Sequence, residues 1–480
     1  MMGTAGRVIS NTIWLLVQRA GGRILKLLLM IYLARHLGTL GFGKLSFAIS
    51  FASLFIILSD MGITTLTVRE VARDKERGPE YIGNIATLKF FLSVFAFLAI
   101  SIFVSFMKIP LDTKYVVYLI GACIIFENMG VFFGAIFQAH EKMKYIPICE
   151  IIEKAFLLSL SFVMLRLGYG LISVGLLYLL SGILYCLLNM GFVYWKFLKP
   201  RYRIDTQFWI KNLKEALPLA IGFLISMVYF HTDIVMLGKM KGEEVAGWYG
   251  VTYHLFIALA SIGGAFLSAV FPVLSRFFKE SGEMLKKAFH KSFKVLVGAG
   301  IPASVGSFLL SEKIILFLFG PQYQQSIVPL KILSCLIVFS YLNGLAGYFL
   351  TSINRQALTA KIMAVTTAIN VALNFILIPR YSYIGAGYAT AVSEILFFTL
   401  FFLNVRKKIP SISLLVISKS VVSSAIMGLI IIILIKNGFD LFPLIAIGLI
   451  TYSFFIWITG YITKGEKTRL KNILLGRETE

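Results

Sequence analysis

Stretches of mostly apolar residues follow one another along nearly the whole chain, as at positions 90–106, 412–435 and 441–462, and this succession restricts the fold more than any other feature. A helix of about twenty apolar residues is what crosses the hydrocarbon core of a bilayer. Counted this way, the chain is expected to cross about fourteen times. Barrel strands would alternate apolar and polar residues with a period of two, and no segment does. The expected fold class is therefore an all-α integral membrane protein. Composition agrees: 58% of the residues are hydrophobic and 14% charged, too much apolar surface for a water-soluble globule. The first apolar stretch is interrupted by Arg19, Arg23 and Lys26, which argues for a retained first span rather than a cleaved signal.

The net charge of +23 invites a nucleic-acid reading, but the basic residues lie in short loops without stacking aromatics or a folded module, so nucleic acid is excluded as a partner. Most fall in loops on one side. Arg69, Arg73, Lys142, Lys144, Lys199, Arg201, Lys286, Lys287, Arg406 and Lys464 are on the side of both termini, while Arg35, Lys44, Lys108, Lys114 and Arg166 are among the few on the other. By the positive-inside rule both termini face the cytoplasm of a cell membrane.

Two local repeats suggest related halves. Leu37-Gly38 with Gly43 resembles Leu237-Gly238 with Gly247, and Arg166 through Gly175 to Leu184 resembles Arg380 through Gly387 to Leu396. The expected organisation is two pseudo-symmetric six-helix bundles, 1–200 and 201–408, two additional helices in 409–464 and a cytoplasmic tail, 465–480. The polar connection 196–215 joins the bundles.

Charges inside the bilayer are the candidate site residues, because each costs about 3 kcal/mol unless paired or hydrated. Arg19, Arg23 and Lys26 are spaced to fall on one helical face, a cationic stripe with no acidic residue before Asp60. It suits an anion, or else Arg19 and Lys26 snorkel and only Arg23 is interior. Asp60, Glu127 and Asp233 are candidate counter-ions or coupling sites, with Glu394 behind them. Glu150 and Glu153 read as a membrane-interface cluster beside Lys154. His231 and His254 read as packing histidines, with proton coupling as the alternative.

The four cysteines stand singly and no histidine has ligand spacing, so neither a metal nor a cofactor is expected. Gly38 to Lys44 fits the start of a phosphate-binding loop, but Leu45 replaces the hydroxyl residue that would hold magnesium, and no strand precedes it. An enzyme is not expected.

Taken in order, Tyr32-Leu-Ala-Arg-His-Leu-Gly38, Asp60-Met-Gly62, Val68-Arg69-Glu70, Asp233-Ile-Val-Met-Leu-Gly238, Phe271-Pro-Val-Leu-Ser275 and Asn374 to Pro379 give the chain a specific likeness. It resembles the polysaccharide flippase family of the multidrug/oligosaccharidyl-lipid/polysaccharide exporter superfamily. The resemblance implies fourteen spans in two bundles and movement of a polyprenyl-linked oligosaccharide between leaflets, with membrane lipids and glycan-assembly enzymes as partners. Similarity to lipid II flippases, by helix position and residue type, makes Arg19 and Arg23 the residues for the pyrophosphate. The alternatives are a cation-coupled multidrug antiporter on the same architecture, disfavoured by the cationic first helix, and a membrane-embedded glycan-modifying enzyme.

Overall fold

The computed structural model describes residues 21–76, 78–406, 408–409 and 413–461, and these are helical almost throughout, with no strand among them. In chain order the helices are α1 (Arg23–Leu54), α2 (Ile56–Asp60), α3 (Ile63–Arg73), α4 (Gly78–Phe106), α5 (Leu111–Ala139), α6 (Tyr145–Arg166), α7 (Leu171–Lys196) and α8 (Thr206–Lys241). They continue with α9 (Glu243–Glu280), α10 (Gly282–Leu309), α11 (Ser311–Phe319), α12 (Ile327–Ser334), α13 (Ile337–Ser352), α14 (Gln356–Arg406), α15 (Leu414–Lys436) and α16 (Leu441–Ile458).

Ten of these are long and apolar enough to cross a membrane, and the bent segment ending in α13 makes an eleventh. Two of the ten are each two spans in one. α1 breaks at Gly38 (φ 69°) and α14 at Ser382 (φ 53°). With α6, whose Glu150, Glu153 and Lys154 lower its hydropathy, the crossings number about fourteen, as expected. This is a multi-pass membrane protein. At Gly38 helix continues on both sides of a single residue, because a glycine tolerates positive φ and a full loop is not required.

The exterior is what a lipid solvent demands. On α4, Phe91, Phe95 and Phe103 are exposed while Asn84, Lys89 and Ser93 are buried, so the polar face turns inward. Side-chain caps appear where helices begin in polar connections. The Asp205 carboxylate accepts from the Phe208 N–H at the start of α8, and the Ser281 hydroxyl from that of Met284 at the start of α10.

The chain forms two compact units. One comprises the described residues up to His254 together with Thr367–Ala389, and its core gathers Ile63, Phe132, Phe133, Phe137 and Ala216. The other comprises Leu255–Thr366 and the described residues from Thr390 to Tyr461, where Leu310, Met427, Ile431 and Leu444 pack together. In this second unit Asn343 donates to the Glu394 carboxylate at 2.7 Å, a buried bond that gives Glu394 a partner within its own unit.

Candidate functional site

Arg19 lies outside the described residues. Arg23 opens α1, and its side chain and that of Lys26 are both exposed on the first turn. Lys26 stands among charged groups contributed by other helices. Its ammonium is in electrostatic reach of Lys154, Glu127, Glu150 and Glu153. It also acts on His231 of α8 and His254 of α9. Lys26 therefore has carboxylates in reach, contributed by α5 and α6 rather than by its own helix.

Within that cluster Glu153 is buried and bonds Lys154 at 2.9 Å. Glu150 reaches α1 because Gly22 has no side chain: a methyl there would stand 2.6 Å from the Glu150 carboxylate. Sequence reasoning set Glu150 and Glu153 aside as an interface cluster. The signal that would have found them is the glycine pair Gly21-Gly22 just before the cationic turn, which permits close approach of another helix. Of the three candidate counter-ions, Glu127 is in electrostatic reach of Lys26.

Asp60 has a partner of its own. Lys89, fully buried on α4, donates to its carboxylate at 2.5 Å and to the Thr64 hydroxyl at 2.7 Å. Thr64 donates to the same carboxylate, and the Gly62 N–H donates to its other oxygen at 3.1 Å. The chain gets there by leaving the helix at Met61 (φ 45°) and Gly62 (φ 77°), which turns Asp60 at the end of α2 toward the first turn of α3. The Gly62 break also allows α8 in, since a side chain there would strike the Ala216 carbonyl.

Asp233, on α8, is 2% exposed. Tyr249 donates to it at 3.0 Å and Asn374 at 2.6 Å, and Asn374 also donates to the Asn370 amide oxygen at 3.1 Å. Asn370 and Asn374 are one turn apart on α14, so both face α8. A buried carboxylate is stabilised by such hydrogen bonds, each of which offsets part of the cost of removing it from water.

A fourth polar cluster joins the middle of α1, just past its break at Gly38, to the starts of α5 and α9. Lys44 bonds Asp112 at 2.5 Å and lies 4.0 Å from Glu243; Thr113 donates to Glu243 at 2.5 Å and Thr39 to Glu244 at 2.8 Å. Backbones touch here: a methyl on Gly43 would overlap the Glu243 carbonyl, and one on Gly247 the Thr39 carbonyl. These are the glycines of the internal repeat. No group of three or more His, Cys, Asp or Glu side chains disposed to hold a metal ion occurs among the described residues.

Residues 8–278 match the family described as "Polysaccharide biosynthesis protein", more than half of the chain. The chain belongs to the polysaccharide biosynthesis protein family. Residues 218–376 also match the family described as MatE. Among similar proteins, the "Putative O-antigen transporter" of Shigella flexneri is 24% identical, over 81% of this chain and 95% of its own length. The "Probable low-salt glycan biosynthesis flippase Agl15" of Haloferax volcanii is 21% identical over 97% of this chain and 98% of its own. The fold matches that of a solved "Lipid II flippase MurJ, inward closed conformation" with a TM-score of 0.76, at 16% identity, covering 94% of this chain and 99% of the other. These relatives are transporters and flippases, not enzymes.

Proposed function

We propose that the chain moves a polyprenyl-(pyro)phosphate-linked oligosaccharide from the cytoplasmic to the outer leaflet of the cell membrane, for surface polysaccharide or glycan biosynthesis. A sugar head with many hydroxyls cannot cross hydrocarbon without polar partners, at a cost of several kcal/mol per unpaired group. The head therefore travels through a polar cavity while the lipid tail stays in the bilayer. Arg23 and Lys26, with Arg19 before them, take the phosphate, and two bundles, 1–200 and 201–408, alternate access to the two sides. Both termini are cytoplasmic, the two additional spans lie within 409–464, and glycan-assembly enzymes deliver and consume the substrate.

The observation that carries this reading is Lys26. It is an exposed ammonium within electrostatic reach of Glu127, Glu150 and Glu153, in a chain whose exterior is largely apolar. A fluorescent lipid-linked oligosaccharide in proteoliposomes tests it. Arg23→Ala is expected to slow translocation by at least about tenfold, the loss of one charge-assisted contact, and Arg23→Glu to abolish it. Native rates in both variants, with folding intact, would refute the phosphate role.

A cation-coupled antiporter is the second reading, and the buried carboxylate of Asp233, to which Tyr249 and Asn374 donate, favours it. Asp233 then carries the coupling ion, whereas in the flippase reading it is either that or a counter-ion. Drug-stimulated cation flux lost in Asp233→Asn, in a chain inert toward lipid-linked sugar, would decide for the antiporter.

A further inference from the structure

A groove with a volume of about 640 Å³ runs along the outside of the first unit, between α1 and α6. Leu28, Ile31, Leu158 and Phe162 line its length, and Arg35 and His36 stand at one end. The two helices run in the same direction with a constant register. A methyl on Gly21 would meet Ile151 at 3.4 Å, and the Tyr32 hydroxyl donates to the Phe162 carbonyl at 3.2 Å across a separation of 130 residues. Carried one turn further, that register sets Arg35 and His36 level with Arg166, in the last turn of α6. All three are exposed, and the Arg166 guanidinium lies 5.0 Å over the Phe162 ring.

We propose that this groove seats one acyl chain of an anionic phospholipid, with the lipid phosphate held at Arg35, His36 and Arg166. An apolar recess open to the bilayer cannot stay empty, because its walls would forfeit dispersion contacts that a methylene chain restores. Water is no substitute where partners are lacking. Length selects the occupant. From Leu28 to His36 the helix rises about 12 Å, close to the roughly 15 Å thickness of one leaflet's hydrocarbon. A chain in the groove therefore reaches mid-membrane with its headgroup level with the cations. Charge selects the headgroup: two guanidiniums and an imidazole at the mouth complement a phosphate that carries net negative charge, and a zwitterionic lipid gains little there. The site is distinct from the cluster around Lys26, which lies nearer the start of α1, and it does not depend on what the protein transports.

The full-length protein in nanodiscs, photolabelled with phosphatidylglycerol or phosphatidylcholine carrying the same diazirine acyl chain, tests the assignment. Peptides containing Leu28 and Phe162 are expected to be labelled about tenfold more by phosphatidylglycerol. Arg35→Gln with Arg166→Gln should reduce that labelling to the phosphatidylcholine level, and Arg35→Lys with Arg166→Lys should retain the preference. Ser159→Trp, which fills the groove and leaves both cations, should remove labelling by both lipids, with monodisperse gel filtration showing that the variants fold. Equal labelling of the native chain by the two lipids, or a preference that survives loss of both guanidiniums, would overturn the proposal. So would a polyprenyl phosphate probe that displaces phosphatidylglycerol, since the groove would then belong to the substrate path.

Discussion

Lys89 is the residue whose environment makes the strongest energetic demand. Its ammonium is wholly enclosed, and Asp60, Thr64 and the ring of Phe132, 5.6 Å away, are its surroundings. Removing one member of such a pair leaves a desolvated charge, a loss of about 3–5 kcal/mol. Lys89→Met is therefore expected to lower the thermal unfolding midpoint in detergent by many degrees, and Lys89→Met combined with Asp60→Leu to recover most of it. A double variant no more stable than the single one would show that the charges act independently. Asp60 was legible in the sequence as an acid within the membrane, but Lys89 was not. It stands 29 positions away, between Leu88 and Phe90 in an apolar run, and helical periodicity does not report which distant helix a side chain meets. Lys26 shows the same limit. Spacing alone proposes the stripe, whereas the approach of Glu150, which Gly22 permits, could not be read from the spacing.

Among elements, the joint of α1 with α9 is the tightest feature. Gly43 and Gly247 let backbone meet backbone, and Lys44, Asp112, Thr113 and Glu243 close a polar ring around the contact. Adding a β-carbon forces the helices apart and strips those hydrogen bonds of their geometry. Gly43→Val is thus expected to destabilise this closed joint while leaving each helix intact. A short thiol-specific cross-linker at Thr39→Cys with Glu244→Cys, in a Cys335→Ser background, reads the joint directly. It should react quickly in the native joint, at least about tenfold more slowly with Gly43→Val, and should arrest transport when it bridges the pair. Transport that continues in the cross-linked chain would mean that this joint does not open during the cycle. The repeat relating Gly43 to Gly247 was visible in the sequence. That the two copies touch was not, because a repeat reports ancestry of local structure and says nothing of pairing.

At the scale of the whole molecule, the membrane sets both what can be exposed and which side is which. Phe106, Leu414 and Trp195 are exposed to 84%, 79% and 74%, a surface that only lipid or headgroup can solvate. About fourteen crossings were legible because apolar length is a local property, and the tilt of charge between alternate connections predicts their sense. Lys287, near the start of α10, belongs to the basic side, and Lys108, between α4 and α5, to the sparse one; both side chains are exposed. In intact cells of a Cys335→Ser chain, a membrane-impermeant maleimide is expected to label Lys108→Cys and to leave Lys287→Cys unlabelled until the membrane is permeabilised. The reverse pattern would invert the chain. The turn of α1 proposed to take the phosphate would then open toward the outside, and its cations would have to capture their ligand there and deliver it inward, against the direction in which a glycan assembled in the cytoplasm has to move.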